Sequence, residues 1–371
     1  MPADAEGFCY PAIDESCCIS CGLCAKVCPY TKEDSSQGEP LAVYAVKHKN
    51  ELVRENSSSG GLFTALSDEI LAHNGVICGA AYDKNMVVTH HFVTDKTGRD
   101  AMRGSKYVQS NLGNAFSTVK SQLESGKTLF FTGTPCQVDG LNHYLSLSNT
   151  DTARLLTCDV ICHGTPSPML FAEYLHLLET KSRSKVINYY FREKSTGWHN
   201  SSERPVFANP NVSYDVFLTR AYRALFNSCN SMRPSCHSCR YSSLKRCSDI
   251  TIGDFWGIEK SDPCFDDNRG VSLCLINTEK GRDMLASVAG SLFIHQSSTL
   301  SCMQHNLQMP TPPSPKRAAF WRDHKKRGLE YVLKKYAGYG IRGNIRFYVV
   351  AIARRMGIVP LLKNILHKIA H

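Results

Sequence analysis

The chain has 371 residues with 42% hydrophobic and 20% charged residues and a formal charge of +10, which is ordinary for a globular protein of two or three units. Its seventeen cysteines are not ordinary. The sequence starts with no secretory pattern, and no apolar run reaches the roughly 18 residues of a membrane span, so secreted disulfide frameworks and membrane-spanning proteins are excluded. In the cytoplasmic chain that we expect, so many cysteines indicate metal ligands or redox thiols.

Residues 1–40 are predicted to form a small ferredoxin-like segment that is held by a metal centre instead of a core. Four cysteines there fit the spacing C-x2-C-x2-C-x3-C-P, namely Cys18, Cys21, Cys24 and Cys28. Two-residue spacers let a tight turn aim successive thiolates at one point, as a 4Fe-4S cluster requires. We therefore predict one such cluster, with Cys17 as a neighbour that could substitute for a ligand. Zinc is the less favoured alternative.

Residues 41–150 alternate strands and helices, which predicts an α/β or α+β body with a largely parallel sheet. Strand patterns cover 42–46, 75–82, 86–93 and 128–133, and helical patterns cover 62–73 and 112–125. The small residues Ser58, Ser59, Gly60 and Gly61 precede the first helix, so they could bring backbone N–H groups to a phosphate. A serine that caps the helix would explain them equally well.

Two more loops of this part could contact an anionic group. One loop carries two cations and a hydroxyl, on Arg103, Lys106 and Ser105, and these could clamp a pyrophosphate or simply be solvated. The other is the turn with Thr132 and Thr134 at the end of the strand over 128–133. Neither loop by itself specifies a flavin.

Residues 151–309 begin with a buried strand over 155–162 and become less regular afterwards. We predict further strands over 187–191, 214–219 and 271–277 and a last helix over 278–290. A cysteine-rich loop occupies 229–247. It contains the pair Cys236 and Cys239 at the C-x2-C spacing of a metal ligand pair.

This pair needs two more thiolates, and the sequence offers two sets of candidates. Cys229 and Cys247 lie in the same loop and would make a local zinc site. Cys136 and Cys162 each follow a buried strand, and ligand sites of open α/β sheets lie at the carboxyl ends of the strands. We favour Cys136 and Cys162 as the ligands that complete a second cluster, with Cys229 and Cys247 as competitors.

Residues 310–371 are predicted to be a proline-rich linker and a basic helical tail. From residue 316 onwards the tail carries fourteen Lys or Arg residues and only two acids, so the charge of the protein is concentrated there. A helix with one apolar face over 345–356 would suit peripheral contact with an anionic membrane, and a solvated surface is the plainer interpretation. We disfavour nucleic acid as a partner.

Several motifs together resemble the beta-subunit family of coenzyme F(420) hydrogenases and dehydrogenases. The matching strings are SSGGLFTAL (58–66), RGSKYVQS (103–110), FTGTPCQV (131–138), CHGTPSP (162–168), RPSCHSCRY (233–241) and DITIGDFWG (249–257). The resemblance extends from the first cysteine run to about residue 290 and leaves out the tail. It implies an iron–sulfur flavoprotein with an N-terminal 4Fe-4S cluster, a second such cluster in the body, and FAD beside 58–61 and 103–107.

On this resemblance we expect an oxidoreductase with domains at 1–40, 41–150, 151–309 and 310–371. Electrons would pass from ferredoxin or a deazaflavin-type donor through two 4Fe-4S clusters to FAD and then to an organic substrate. His163 is our candidate proton donor, with a structural histidine as the alternative. The competing hypothesis is a non-catalytic electron-transfer subunit of a larger complex. A homo-oligomer is compatible with either.

Overall fold

The computed structural model describes residues 2–31, 38–341, 344 and 345, and it shows the mixed α and β architecture that the sequence predicts. The strands are β1 (Ala42–His48), β2 (Val76–Tyr82), β3 (Val88–Val93), β4 (Leu129–Gly133), β5 (Leu155–Val160), β6 (Val186–Glu193), β7 (Ser202–Phe207), β8 (Ile250–Asp254), β9 (Ser272–Ile276) and β10 (Leu292–Ser297). The helices are α1 (Leu23–Val27), α2 (Glu51–Glu55), α3 (Leu62–Ala72), α4 (Lys96–Met102), α5 (Ala115–Glu124), α6 (Pro135–Leu147), α7 (Pro168–Ser182), α8 (Val216–Asn227), α9 (Ile258–Ser261), α10 (Glu279–Ser287) and α11 (Arg317–Tyr336).

An eight-stranded sheet organises the molecule, in the order β10-β1-β9-β8-β5-β4-β2-β3. The four neighbours β8, β5, β4 and β2 run parallel, whereas the outer pairings are antiparallel. The predicted parallel sheet is therefore its centre only. Because β1 and β8 both pair antiparallel with β9, β1 points the same way as the central strands. Five strands thus end at one edge, which we call the carboxyl edge.

Side chains of the sheet alternate between two helix layers, as the two-residue period of a strand requires. In β4, Phe130 packs with α3 and α10, whereas Leu129 and Phe131 pack with α5 and α6. The two faces are thereby buried by different helices. The turns that join strands to these helices collect at the edges of the sheet.

A separate hairpin of β6 and β7 forms a second core with α7, α8 and α11. Phe8, which is completely buried, inserts into this core from the N-terminal segment. Helix α11 bends at Gly328 (φ 74°) and buries Phe320, Val332 and Leu333 there. Residues 317–336, which belong to the predicted tail, therefore pack against the body, whereas the amphipathic pattern predicted at 345–356 lies almost wholly outside the described residues.

The predicted strand over 214–219 is wrong. Residues Val216–Asn227 form helix α8, because the Asp215 carboxylate accepts hydrogen bonds from the N–H groups of Phe217 (2.9 Å) and Leu218 (3.3 Å) and so caps a helix at this point. Strands β7 and β10 were not predicted at all. In the part of the chain that the structure describes, no helix is both long and apolar enough to cross a membrane.

The core of the hairpin contains one ionisable acid, Glu203, which is 5% exposed. Its carboxyl group accepts a hydrogen bond from the Tyr189 hydroxyl (2.8 Å), and the Arg223 guanidinium lies 3.8 Å away. Burial raises the pKa of Glu203 to about 8, although Arg223 and the Tyr189 bond act in the opposite direction. The folded protein therefore holds this proton more tightly than the unfolded chain does.

We predict that Glu203 makes the protein less stable as the pH rises. An unfolded glutamate ionises near its ordinary pKa, so between about pH 4.5 and pH 8 the folded state binds more protons and the free energy of unfolding falls with pH. Glu203→Gln removes this titration while keeping the shape. Urea unfolding from pH 5 to pH 8.5 should show a shallower fall in the variant than in the wild type, whereas the exposed control Glu124→Gln should match the wild type. Identical slopes for Glu203→Gln and wild type would contradict the prediction.

Candidate metal centre and cofactor site

The first cysteine group lies on a short surface turn. Cys17, Cys18, Cys21 and Cys24 are exposed and Cys28 is half-buried. Ser20 (φ 55°) and Gly22 (φ 68°) adopt left-handed conformations between successive cysteines, which reverses the chain twice within five residues. Helix α1 then carries Cys24 and leads to Cys28. The backbone thus presents four thiols from one small loop, as the spacing predicts.

The predicted second group assembles from three separate segments at the carboxyl edge. Cys136 is the second residue of α6, which starts directly after β4, and Cys162 follows the end of β5. Cys236 and Cys239 belong to a 3-10 turn at 234–238 and its end. The Arg233 N–H donates to the Thr165 carbonyl (3.0 Å), so the turn with the cysteine pair lies against the loop after Cys162.

The thiols of this second group lie near enough to affect each other's ionisation. Burial raises the pKa of Cys136 to about 11, and the neighbouring Cys236 and Cys239 contribute to the rise. Burial also raises the pKa of Cys162 far above its ordinary value, with Cys236, Cys136 and Cys239 adding to it. The fold therefore brings together the four cysteines that we favour from the sequence.

The two competing cysteines have other partners. The Cys229 thiol lies 3.7 Å from His163 Nε2 and 3.5 Å from the Asn227 carbonyl, in a small apolar cluster with Phe226 and Met232. The Cys247 thiol donates to the Pro135 carbonyl (3.3 Å) and is buried beside α6. Cys247 also lies near Cys136, whose charge raises the pKa of the Cys247 thiol after the larger effect of burial. Cys247 is therefore the nearer competitor.

The chemistry of the second group suits a cluster better than a single ion. All its cysteines are reduced thiols, and within the described ranges no three His, Cys, Asp or Glu side chains have the spacing that holds one ion. A cubane places its four thiolates on four different irons, so it needs a more open arrangement. Buried thiols that raise each other's pKa also need positive charge before they can ionise together, and bound iron supplies it.

Positive groups of the protein surround the second thiol group. Arg233 lowers the pKa of Cys136 and of Cys236, against the larger raising effect of burial. Cys136 lies in the first turn of α6, where the helix dipole favours negative charge. An anionic cluster would therefore be stabilised at this position.

A buried ion pair holds the cysteine-rich loop on the sheet. Arg246 is 1% exposed and Asp159 is completely buried, and Arg246 Nη2 lies 2.8 Å from the Asp159 carboxylate. The same guanidinium donates to the carbonyls of Tyr241 (2.7 Å) and Val160 (3.0 Å). The loop that carries the cysteine pair is thereby tied to the end of β5, close to Cys162.

The predicted flavin residues also lie at the carboxyl edge. Ser58 Oγ accepts hydrogen bonds from the Ser105 N–H (2.8 Å) and the Ser105 hydroxyl (3.2 Å), so the turn at 57–61 and the loop at 103–107 meet. Gly61 (φ 93°), and not a serine, is the N-cap residue of α3, and no side chain caps this helix. A Cβ at Gly60 would lie 2.2 Å from the Val46 carbonyl oxygen, so packing against β1 alone requires that glycine.

Several polar groups that we predict to contact the flavin are engaged within the protein. The Lys106 ammonium donates to the carbonyls of Ala101, Met102 and Arg103 at 2.9–3.1 Å and so closes the end of α4, and burial lowers its pKa to about 7. The hydroxyl of Thr132 donates to the Cys78 carbonyl (3.3 Å). The Ser59 hydroxyl donates to the Val271 carbonyl (2.6 Å).

The remaining two predicted residues divide between the two regions. Arg103 pairs with Asp100 (2.7 Å) and donates to the Thr64 hydroxyl (3.1 Å), so its guanidinium stays beside α3. Thr134 Oγ1 lies 3.2 Å from Cys136 Sγ, which places this residue at the second thiol group. Its assignment to the flavin or to the cluster stays a prediction.

His163 lies beside the second thiol group but faces away from it. Its Nδ1 contacts Asn306 Oδ1 (3.3 Å) and the Thr311 hydroxyl (3.2 Å), and its Nε2 faces Cys229. Burial lowers the pKa of His163. These contacts describe a histidine that fixes the segment at 306–311 to the loop after β5, and its role as a proton donor stays a prediction.

Sequence reasoning missed the charged groups that the β6–β7 hairpin brings to the turn at 57–61. Arg192 pairs with Asp254 (2.6 Å), whose other oxygen accepts from the Trp198 indole (2.8 Å). The Lys194 ammonium donates to the carbonyls of Arg54, Ser59 and Arg269. Burial, together with the nearby Arg54, lowers the pKa of Lys194 to about 8. No spacing rule connects residues so distant in sequence.

We predict that Arg246→Ala destabilises the protein strongly. Removing one partner of a buried pair leaves the Asp159 charge without compensation, and such losses are about 3–5 kcal/mol in the free energy of unfolding. Urea unfolding of the cluster-free protein measures the loss. Arg282→Ala, which removes an exposed pair with Glu279, is the control and should change the free energy by less than about 0.5 kcal/mol. Equal effects in the two variants would refute a structural role for the buried pair.

We predict that iron binding separates the favoured ligands from their competitors. In anaerobically purified protein, Cys162→Ser and Cys239→Ser should each lower the iron content from about eight to about four per chain, since one cubane loses a ligand. Cys229→Ser should keep the full content, because that thiol faces His163. Cys247→Ser, being nearer to Cys136, is the sharper control. Loss of iron in Cys247→Ser but not in Cys162→Ser would exchange the two assignments.

Comparison with known proteins agrees with the resemblance in the sequence. Residues 126–298 match the family described as the C terminus of the coenzyme F(420) hydrogenase/dehydrogenase beta subunit, and residues 11–30 match the 4Fe-4S binding domain. No curated protein matches the chain. One similar solved chain is in the xenon-derivatised F(420)-reducing NiFe hydrogenase complex from Methanosarcina barkeri, at 17% identity and a TM-score of 0.48, covering 82% of this chain and 93% of that one.

The two family matches contain both cysteine groups described above. The 4Fe-4S match spans Cys18 to Cys28, and the beta-subunit match spans Cys136 to Cys239. The chain therefore belongs to the beta-subunit family of coenzyme F(420) hydrogenases and dehydrogenases, with a 4Fe-4S binding domain at its N-terminal end.

Proposed function

We propose that this chain is an iron–sulfur flavoprotein oxidoreductase. It passes electrons from ferredoxin or a deazaflavin-type donor through two 4Fe-4S clusters to FAD and on to an organic substrate. The observation that carries this proposal is the convergence of Cys136, Cys162, Cys236 and Cys239 at the carboxyl edge, next to the N-terminal cluster segment. When bound, the clusters supply one-electron sites and FAD supplies the exchange between single electrons and electron pairs.

The surface around the first group suits the entry of electrons. Its cysteines are exposed, and Ile19 and Leu23 beside them are 84% and 53% exposed. Electron-transfer contacts are small and transient, and an open thiol loop with an apolar rim fits that kind of encounter. The second group is half-buried, which favours an internal site that receives electrons from within the protein.

The turn at 57–61 and its surroundings carry the groups that would hold the diphosphate of FAD. The uncapped start of α3 offers backbone N–H groups, and the exposed Ser105 offers a hydroxyl. The cations of Arg103, Arg192 and Lys194 lie around this turn. A phosphate there would restore the protonated state that burial disfavours for Lys194.

A second candidate function is an electron-transfer subunit that holds no flavin. The observation that favours it is that Lys106, Thr132 and Ser59 already donate to carbonyls of the protein. If these bonds persist in solution, fewer donors are available to a cofactor. Such a chain would deliver its electrons to a separate subunit, as its family assignment allows.

We also propose a cytoplasmic protein in which the basic C-terminal residues contact an acidic partner or an anionic membrane surface. The charge of this segment supports the proposal. Residues 346–371, which hold much of that charge, lie outside the described part of the chain. Binding to vesicles that contain anionic lipid, before and after removal of these residues, would test the membrane version.

The decisive experiment is a count of cofactors in anaerobically purified protein. We predict about eight irons, about eight sulfides and about one FAD per chain, without zinc. Iron-loaded protein without flavin would overturn the flavoprotein proposal in favour of the electron-transfer subunit. Zinc at the second thiol group would overturn both.

A matched pair of variants makes the flavin count specific to the proposed site. Ser105→Ala combined with Arg103→Ala should lower the bound flavin while iron and sulfide stay unchanged, because these residues do not contact either thiol group. Lys96→Ala removes an exposed cation from α4 and serves as the control, since it lies only 3.9 Å from Asp68 and makes no other polar contact in the described structure. Unchanged flavin in the double variant would remove the site from 57–61 and 103–107.

A further inference from the structure

The N-terminal cluster segment is docked onto the second thiol group through a specific contact. Arg240 follows Cys239 directly, and its Nη1 donates to the carbonyl of Pro29, which follows Cys28 directly, at 2.6 Å. A charge-assisted bond of this length is a strong one. The two ligand sets are therefore joined by a hydrogen bond between residues adjacent to a cysteine of each set.

Tyr30 makes a second contact across the same junction. Its side chain is 48% exposed overall, but its hydroxyl end is turned inward, where it hydrogen-bonds with Ser235. Burial raises the pKa of the Tyr30 hydroxyl, and Cys136, Cys239 and Cys236 near it raise the pKa further. The ring thus lies between the first ligand set and three thiols of the second.

The connection from Cys28 to these contacts is rigid. Residues Pro29–Thr31 form a 3-10 turn that packs on α6, the helix that carries Cys136. The Thr31 hydroxyl donates to the carbonyls of Ala25 (2.5 Å) and Cys28 (2.9 Å), which ties the turn back to α1. On the other side, Gly140 of α6 leaves space for Pro29, whose Cδ would lie 4.0 Å from a Cβ at that position.

We infer that Tyr30 and Arg240 are positioning residues, which set the distance between the two clusters by docking the N-terminal segment on α6 and the 234–240 turn. This inference rests on the proposed function, because it requires both clusters to be present. Neither residue is a ligand. Their effect is to hold Cys28 next to Cys239 so that one electron can pass from the first cluster, which is oxidised, to the second, which is reduced.

The test is the magnetic interaction between the two clusters in the intact protein, reduced anaerobically with dithionite. Two reduced cubanes held close together split and broaden each other's paramagnetic resonance signals. We expect this interaction in the wild type. We expect its loss in Arg240→Ala, with iron and sulfide per chain unchanged. Arg282→Ala removes an exposed arginine of the same size and should behave as the wild type.

A steric pair tests the same contact without touching a ligand loop. Gly140→Leu inserts a branched side chain between α6 and Pro29 and should also remove the interaction. Gly140→Ala is its control, since an added Cβ would make only ordinary contacts, at 3.4 Å with Phe116 and 4.0 Å with Pro29. If Arg240→Ala loses the second cluster itself, the Gly140 pair decides.

The outcomes separate this inference from the proposed function. A wild type with iron for only one cluster would refute the two-cluster function. A wild type with both clusters but no magnetic interaction, or an interaction that persists in Arg240→Ala and Gly140→Leu, would overturn the positioning role alone. Loss of the interaction in these two variants, with both controls unchanged, would establish it.

Discussion

The buried guanidinium of Arg246 ties the cysteine-rich loop to the end of a central strand, and the geometry of the second thiol group depends on it. Asp159 of β5 and the carbonyls of Tyr241 and Val160 all accept from this one side chain. Loops of this length have no regular hydrogen bonds of their own. A single multidentate cation that replaces them fixes Cys236 and Cys239 relative to Cys162, and the parallel sheet fixes Cys136.

The carboxyl edge of the sheet receives the rest of the site for a topological reason. Five strands end there, so the turns that follow them meet in a small volume even though they are far apart in sequence. The hairpin of β6 and β7 adds Arg192 and Lys194 from the side. Cations, thiols and an uncapped helix start are therefore neighbours, which is the chemical environment that anionic redox cofactors require.

The sequence predicted features that depend on local spacing and failed where distant contacts decide. The first cysteine group follows from two-residue spacers, and the choice of Cys136 and Cys162 follows from the strands that precede them. The segment 214–219 was predicted as a strand because it alternates, but the carboxylate of Asp215 begins a helix there. Nothing in the spacing of Tyr30 and Arg240 indicates that they meet across more than two hundred residues.

The N-terminal segment is fixed at both of its ends, and this has a consequence for how its cluster is assembled. Phe8 is buried in the hairpin core and Glu6 pairs with Arg317, while Pro29 is held by Arg240. Residues 11–28 are therefore a closed loop whose ends stay in place without metal. The entropy cost of bringing the ligands together is met largely by folding of the body, so iron and sulfide enter a preformed loop and the cluster can be rebuilt after oxidative loss.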